Sequence, residues 1–220
     1  MAERWLLADL GGTNTRIALA GPKGIVAGSV QSFANRAYSS LAPLLATYLE
    51  SARTGPITAL CAGVAGPVQG DTAQLTNYDW FIDAGDLRAA TGARDVQLIN
   101  DLQAQGYALD DLPPSAITPL FQAQPTPVDS TRLVLNLGTG CNVAVVHKLG
   151  ERLFVPPSES GHAALPHATG ALAELYAHLR ARHPHLPVEA VLSGPGLEAV
   201  HGFATGEALT SQDIVARIAA

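Results

Sequence analysis

Long apolar runs are missing from this sequence of 220 residues. No segment reaches the roughly 18 consecutive apolar residues that a membrane-spanning helix needs. A basic region followed by an apolar stretch, which would indicate a secretory leader, is also missing, since Asp9 interrupts the first hydrophobic run. We therefore expect neither a membrane partner nor secretion.

Positive charge and cysteine are also scarce. Lys and Arg number 13 against 19 Asp and Glu, which gives a net charge of -6, and the basic residues form no cluster. A nucleic-acid partner is not expected, because such partners are bound by clustered basic side chains. Cys61 and Cys141 are too few for a disulfide framework and form no C-x-x-C pair, so we expect two small buried residues, no structural zinc and a reducing cytoplasm.

Hydrophobic residues make up 47% of the chain, which is enough to bury the core of one large domain or two small lobes. The first half alternates segments with strand-like and helix-like patterns. We predict strands near residues 5–9, 15–20, 25–33, 57–64 and 96–99, and helices over 38–51, over 86–91 and from Asp101 onwards. This order indicates an α/β fold.

The second half repeats the opening plan of strand, glycine turn and strand over 133–135, 137–140 and 143–146. Residues 110–129 are rich in Pro and Asp and indicate an exposed connection, so we predict a small lobe over 1–110 and a second lobe over 111–220. Further on, a helix is expected over 169–182, a breaker over Ser193–Gly196, and a last helix that Thr210 and Asp213 begin like a capping box.

The segment Asp9–Asn14, with the sequence Asp-Leu-Gly-Gly-Thr-Asn, is typical of a tight hairpin turn. Glycine permits positive φ and lets an anion approach the backbone N–H groups, so the turn is a candidate phosphate site. Thr13 and Asn14 offer donors to phosphate oxygens, and Asp9 is suited to hold Mg²⁺ through water. A plain structural turn is the alternative. The later turn Gly138–Gly140 strengthens the phosphate interpretation, because two such hairpins facing each other would grip a nucleotide.

The duplicated hairpin is the plan of the actin-like, hexokinase-like ATPase superfamily, and the chain resembles the bacterial glucokinase family in particular. Six motifs match that family in order: Asp9–Asn14, Thr76–Trp80, Ile99–Asp101, Gly138–Gly140, Glu159–His162 and Glu189–Leu197. The resemblance implies a two-lobed actin-like ATPase fold, ribonuclease H-like, with an incomplete second lobe. It also implies ATP-dependent phosphorylation of glucose with Mg²⁺ in the cytoplasm, and it leaves a homodimer open.

The resemblance assigns roles to individual residues. Asp101 corresponds to the catalytic base, although an Asp that begins a helix is also a favoured N-cap. The implied sugar-binding residues offer the carboxylates, amide and imidazole that neighbouring sugar hydroxyls require: Asn100, Asp101, Glu159, His162 and Glu189. The implied nucleotide-binding residues form the two hairpins: Ala8, Asp9, Leu10, Gly11, Gly12, Thr13, Asn14, Gly138, Thr139 and Gly140. Without the resemblance, Glu159 and His162 would be interpreted as a surface loop and Glu189 as a helix-start carboxylate.

Some positions depart from the family pattern. Ser158, Ser160 and Asn142 stand where the family usually has glycine, and we expect Asn142 to preserve its turn because Asn tolerates positive φ. The cysteine-rich zinc motif of the related repressor/kinase group is absent. Family members continue well beyond 220 residues and supply an adenosine loop there, so a non-catalytic sugar-binding fragment and a kinase for another hexose remain alternatives. Tyr78 and Trp80 are expected in the core.

Overall fold

The computed structural model describes residues 3–76, 78–121, 127 and 129–219, so Asn77 of the second motif lies outside the described residues. The chain divides into two compact units, Met1–Gln105 and Gly106–Ala220, which are described separately. The predicted lobe boundary near residue 110 stays a prediction.

The elements of the first unit follow one another in chain order. They are β1 (Trp5–Leu10), β2 (Asn14–Gly21), β3 (Gly24–Ile25), β4 (Gln31–Ala34), α1 (Leu41–Ala52), β5 (Ala59–Val64), β6 (Val68–Gln69), β7 (Thr72–Gln74), β8 (Phe81–Asp83), α2 (Ala84–Thr91), β9 (Asp95–Asn100) and α3 (Asp101–Tyr107), which ends in the second unit.

A six-stranded mixed sheet organises the first unit. Its strands follow the order β3-β2-β1-β5-β9, and β4 also pairs with β2. The pairings of β1 with β5 and of β5 with β9 are parallel, while β1 and β2 are antiparallel. The carboxyl ends of β1, β5 and β9 therefore lie side by side, which is where ligands bind in many open α/β sheets. The antiparallel strands β6, β7 and β8 form a separate small sheet that the sequence analysis did not predict.

The core of the first unit lies between this sheet and its helices. Leu41, Leu44, Leu45 and Tyr48 are buried along one face of α1, which confirms the helix predicted from that spacing. The helix α2 ends at Gly92, whose φ of 70° is the left-handed conformation expected of a glycine that closes a helix.

The aromatic and cysteine predictions have mixed outcomes. Trp80 is buried and Tyr78 packs against the same cluster, which confirms that both are core aromatics. Cys141 is buried as expected. The expectation for Cys61 was wrong, because that side chain is only partly buried and lines an open groove with Trp5 and Leu7 on the sheet.

The second unit contains β10 (Arg132–Leu137), β11 (Cys141–Leu149), β12 (Arg152–Phe154), α4 (Ala171–Leu179), α5 (Gly194–Thr205) and α6 (Ser211–Ala219). The three strands form an antiparallel sheet in sequence order. A small core of Leu175, Leu179 and Leu186 lies beneath α4. Among the described residues, none of the helices combines the length and the apolar character that crossing a membrane requires.

The start of α5 corrects one prediction, and the start of α6 confirms another in part. Ser193–Gly196 was predicted to interrupt regular secondary structure, but this segment forms the start of α5. The Ser193 hydroxyl accepts the Gly196 N–H at 3.0 Å and caps the helix. At α6, the Thr210 hydroxyl donates to Asp213 Oδ2 at 2.7 Å and accepts the Asp213 N–H at 3.2 Å. The bond from the Asp213 N–H is the first half of the predicted capping box, but Asp213 returns its bond to the Thr210 hydroxyl and not to the Thr210 N–H that a complete box requires, so the prediction is confirmed only in part.

Candidate active site

The first glycine hairpin closes tightly between β1 and β2. Leu10 pairs with Thr15, and the Gly11 N–H donates to the Asn14 carbonyl at 3.0 Å. Neither Gly11 nor Gly12 has a positive φ, so the first of the two reasons given for glycine in this turn was wrong, while the access of an anion to the N–H groups stays a prediction. Close approach explains Gly11 instead, since a Cβ there would lie 3.2 Å from the Asn14 carbonyl oxygen.

A buried side chain that the sequence analysis missed holds this turn. Asn35 is fully buried, and its Oδ1 accepts the Thr15 hydroxyl at 2.8 Å while its Nδ2 donates to the Gly11 carbonyl at 2.9 Å. Its backbone N–H donates to the Thr13 carbonyl at 2.9 Å. The two turn carbonyls are thus occupied, whereas the N–H groups of Gly12 and Thr13 have no hydrogen bond within the described chain and are available to an anion.

Two carboxylates lie near the carboxyl ends of β1 and β9, the strands on either side of β5. Asp9 is on β1 in register with Gly63 of β5, which is in register with Ile99 of β9, two residues before Asp101. Burial raises the pKa of Asp101, and the negative charge of Asp9 raises it further, although the Leu102 N–H lowers it. The side chain of Asp9 is 61% exposed, and its Oδ2 lies 3.5 Å from Arg16 Nη1.

Asn100 fixes the backbone beside Asp101. Its Nδ2 donates to the Gly66 carbonyl at 3.2 Å, and its Oδ1 accepts the Leu102 N–H at 2.9 Å. Leu102 donates the same N–H to Asp101 Oδ1 at 2.8 Å, but α3 begins at Asp101, so the N-cap position belongs to Asn100. Gly66 must be glycine, because a Cβ there would overlap the Gln74 carbonyl oxygen. The sugar-binding role of Asn100 stays a prediction.

The second hairpin joins β10 and β11. Leu137 pairs with Cys141, and the Gly138 N–H donates to the Gly140 carbonyl at 2.9 Å. The Gly138 carbonyl accepts the Gly194 N–H, at the first residue of α5, at 2.7 Å. A carboxylate lies beside the turn, since a Cβ on Gly140 would be 3.1 Å from Glu189 Oε2. As in the first hairpin, neither Gly138 nor Gly140 has a positive φ.

The loop Glu159–His162 lies against the start of β11. A Cβ on Gly161 would overlap the Cys141 carbonyl oxygen, so only glycine allows this approach. His162 Nε2 lies 3.7 Å from Glu189 Oε1, which brings two of the predicted sugar residues together. The second unit therefore places Glu189 beside the hairpin Gly138–Gly140 and His162 beside Glu189, while the backbone on either side of Glu159 lies against Asn142 of β11.

The turn before Asn142 is preserved as expected, since Leu137 pairs with Cys141, but the reason given for it was wrong. Asn142 lies within β11 and has no positive φ. Its side chain instead bonds to the backbone on both sides of Glu159, at Ser158 and Ser160. An isolated Asn in a strand pattern carries no sequence signal for such a contact.

A model of the glucokinase family matches residues 6–218 of the chain. The chain belongs to the glucokinase family. A glucokinase of Nostoc punctiforme is 31% identical over 203 residues, which cover 90% of this chain and 59% of that protein. The chain thus spans less than two thirds of this relative's length.

Solved structures agree with the family assignment. The structure of a glucokinase from an Antarctic psychrotroph matches with a TM-score of 0.80 and 28% identity, covering 96% of this chain and 67% of that one. A Balamuthia mandrillaris glucokinase, solved in complex with glucose, matches with a TM-score of 0.67 at 21% identity and supports the fold alone. This glucokinase-family chain has the predicted mixed α/β, actin-like ATPase fold class.

Proposed function

We propose that this chain carries the phosphate-binding, base and sugar-binding residues of an enzyme that phosphorylates glucose with ATP to give glucose 6-phosphate and ADP. The observation that carries the proposal is the Asp101 carboxyl, partly buried at the end of β9 near Asp9, with a raised pKa. A general base works best when its pKa is brought toward the operating pH. Membership of the glucokinase family supports the same reaction.

In this reaction Asp101 accepts the proton of the 6-hydroxyl as that oxygen bonds to the γ-phosphorus of ATP and the bond to ADP breaks. Phosphoryl transfer needs little covalent chemistry from the protein beyond positioning and charge stabilisation. The hydrogen bonds of Asn100 to Gly66 and Leu102 hold the backbone beside the base. Activity should therefore fall at acidic pH as Asp101 becomes protonated.

Each unit contributes one set of groups to the proposed reaction. In the first unit, the N–H groups of Gly12 and Thr13, with the side chain of Asn14, bind phosphate oxygens. In the second unit, Glu159, His162 and Glu189 accept and donate hydrogen bonds to sugar hydroxyls, and the turn Gly138–Gly140 binds phosphate. The contact of His162 with Glu189 at 3.7 Å supports a shared role of these side chains.

The residues present fit a magnesium ion held through water. The exposed Asp9 carboxylate has room for water ligands and offers the hard oxygen that Mg²⁺ prefers. No group of three or more His, Cys, Asp and Glu side chains among the described residues could form a metal cage. When bound with ATP, the ion would supply charge stabilisation to the phosphates. Cytoplasmic location and a homodimer stay predictions.

Two measurements test this function. Calorimetry with glucose measures sugar binding by the chain, and a coupled assay measures ADP release with glucose and Mg·ATP. Asp101→Asn keeps one oxygen acceptor for the sugar, so it should bind glucose more weakly but measurably, and it should lose turnover by a factor of about 100 or more. If the chain has no turnover, the same comparison is made after its fusion to the C-terminal part of the Nostoc punctiforme relative. Turnover near the unsubstituted level would contradict the assignment of the base.

A second candidate function is sugar binding without catalysis. The observation that favours it is the contact of His162 with Glu189 at 3.7 Å, which brings two candidate sugar-binding side chains together within the second unit alone. Glucose binding with no ADP release would support this candidate. A panel of hexoses and amino sugars in the same calorimeter distinguishes glucose from another hexose substrate, because Glu159 and His162 indicate sugar hydroxyls in general.

A further inference from the structure

Three positions that depart from the family pattern form one hydrogen-bond network in the second unit. Asn142 Nδ2 donates to the Ser158 carbonyl at 2.6 Å, and Asn142 Oδ1 accepts the Ser160 N–H at 3.0 Å. The hydroxyls of Ser158 and Ser160 lie 2.7 Å apart. One amide side chain thus holds the backbone directly before and directly after Glu159.

The network fixes the amide of Asn142 in a single orientation. A carbonyl can only accept and an N–H can only donate, so Nδ2 must face Ser158 and Oδ1 must face Ser160. Oδ1 also accepts the N–H of Val143 at 2.8 Å, which keeps the side chain against its own strand. The strand β11 is in turn paired with β10 over six residue pairs from Arg132 to Leu137, so the loop is tied to a hydrogen-bonded sheet.

Glu159 lies between the two backbone groups that Asn142 binds. The residue is exposed, and its backbone has a φ of -128° and a ψ of 49°, outside the helical and extended regions. The next contact along the loop is Gly161 against Cys141, the neighbour of Asn142 on β11. The loop is therefore attached at Ser158, Ser160 and Gly161, and Asn142 supplies the first two of these attachments.

We propose that Asn142 is a positioning residue that holds the Glu159–His162 loop in its sugar-binding conformation. The sugar-binding part of this inference rests on the proposed function, whereas the hydrogen bonds of Asn142 to the loop do not depend on it. Because Asn142 acts through backbone groups, its loss should weaken the binding of sugar and leave the affinity for the nucleotide nearly unchanged. Among the described residues, the hydroxyls of Ser158 and Ser160 bond only to each other, so they should matter much less.

The test compares four variants of the full chain. Asn142→Ala removes both bonds to the loop together with the bond to Val143, and we expect the Kd for glucose to rise about tenfold, as the two neutral hydrogen bonds that hold the loop are lost. The double variant Ser158→Ala with Ser160→Ala keeps the backbone bonds and should change the Kd less than about twofold. Asn136→Ala, directly opposite Asn142 on β10, is the matched control, because the exposed Asn136 side chain has no hydrogen bond within the described part of the chain.

Asn142→Asp adds a readout that a general loss of packing would not give. Near pH 7 its carboxylate can accept from Ser160 but faces the Ser158 carbonyl without a proton to donate. A protonated Asp regains a donor and an acceptor. The ratio of the variant's Kd to that of the unsubstituted chain should therefore fall toward one between pH 7 and pH 4.5, and a constant ratio would overturn the proposal. The same variant replaces Asn142→Ala if that variant does not fold.

Amide exchange separates failure of this inference from failure of the proposed function. The Ser160 N–H should exchange about tenfold faster in Asn142→Ala than in Asn136→Ala. If the unsubstituted chain binds no sugar, the proposed function fails, and the exchange rate alone decides whether Asn142 holds the loop. Unchanged exchange at Ser160, or unchanged glucose affinity in Asn142→Ala when the unsubstituted chain binds glucose, would overturn the proposal.

Discussion

The two glycine hairpins have similar sequences but different supports. The first lies on a strand whose Leu6 and Leu10 are completely buried, and the fully buried Asn35 holds its turn. The second lies on β10, where Leu133, Leu135 and Leu137 are 60%, 51% and 57% exposed. Its turn is held by backbone contacts, through Gly194 and its own carbonyls.

This difference shows that one local pattern can be stabilised in two ways. A buried polar side chain stabilises a turn when all its hydrogen bonds are satisfied, but its removal leaves several groups unpaired at once. Close backbone packing instead depends on the absence of a side chain, so a single added methyl group can disrupt it. We therefore expect the first hairpin to be sensitive to loss of one amide and the second to gain of one Cβ.

The largest effect should come from adding a methyl group beneath the second hairpin. In Gly161→Ala the new Cβ would overlap the carbonyl oxygen of Cys141, the residue that pairs with Leu137. We expect the second unit to lose at least about 3 kcal/mol of its free energy of unfolding, since the loop must move away from β11. Urea unfolding followed by far-UV circular dichroism measures this change.

Gly202→Ala is the matched control for that substitution. Gly202 lies inside α5, and a Cβ there would be 3.6 Å from the Glu207 carbonyl oxygen, an ordinary contact. Because alanine favours a helix more than glycine, the control should gain up to about 1 kcal/mol. Equal responses of the two variants would show that the second hairpin does not depend on the close approach at Gly161.

The next effect should come from Asn35 beside the first hairpin. Asn35→Ala leaves the Thr15 hydroxyl and the Gly11 carbonyl without their partner in a buried region. We therefore expect the free energy of unfolding of the first unit to fall by about 2–3 kcal/mol. Tryptophan fluorescence during urea unfolding measures the first unit, because Trp5 and Trp80 both lie there.

Asn136→Ala gives the corresponding change at the second hairpin. Asn136 is exposed on β10, so this substitution should lower the free energy of unfolding by less than about 0.5 kcal/mol. If Asn35→Ala lowers the free energy of unfolding as little as Asn136→Ala does, the two hairpins are not supported in different ways.

A smaller effect is expected where α5 supports the second hairpin. The Ser193 hydroxyl caps α5 and donates to the Glu189 carbonyl at 2.7 Å. Ser193→Ala should lower the free energy of unfolding by about 1–2 kcal/mol, which is the usual effect of replacing an N-cap residue by alanine. Ser40→Ala is the control, since Ser40 occupies the N-cap position of α1 without a side-chain cap bond. If both serines behave alike in urea unfolding, capping does not contribute to the support of the second hairpin.

The sequence allowed good prediction wherever local pattern decides the structure. The spacing of Leu41, Leu44 and Leu45 predicted α1, and the glycine pair between apolar runs predicted the first hairpin. Thr210 and Asp213 predicted the start of α6 for the same reason, since both partners lie within one turn. In each case the interacting residues are a few positions apart in the chain.

Contacts between distant residues could not be predicted in this way. Asn35 bonds to Gly11, 24 positions away, and Asn142 bonds to Ser158, 16 positions away. No local pattern indicates that an isolated Asn side chain will hold a distant turn or loop by hydrogen bonds. The prediction that Ser193–Gly196 interrupts regular structure was wrong for another reason. Gly and Pro disrupt the interior of a helix, but they fit its first turn. The site assignments drawn from family resemblance stay predictions until the variants are measured.

The smallest expected effect concerns the pH dependence of stability at Asp101. Burial, with the charge of Asp9 from the strand before the first hairpin, raises the pKa of Asp101 in the folded chain. A carboxyl whose pKa is raised by folding lowers stability above that pKa, and this penalty disappears as the pH falls below the unfolded value. We expect Asp101→Asn to raise the Tm by about 1–2 °C at pH 7 and not at all near pH 3.

Asp110 supplies a control of opposite sign for this last measurement. Its hydrogen bonds to Arg132, at 2.6 and 3.2 Å, lower the pKa of its carboxyl. Such a group adds stability above its unfolded pKa, and that stability is lost as the pH falls through the folded value. Asp110→Asn should therefore lower the Tm at pH 7, and the loss should shrink in acid. If Asp101→Asn lowers the Tm in the same way, the carboxylate beside the first hairpin is stabilised by its surroundings, and the argument for its role as a base loses its physical support.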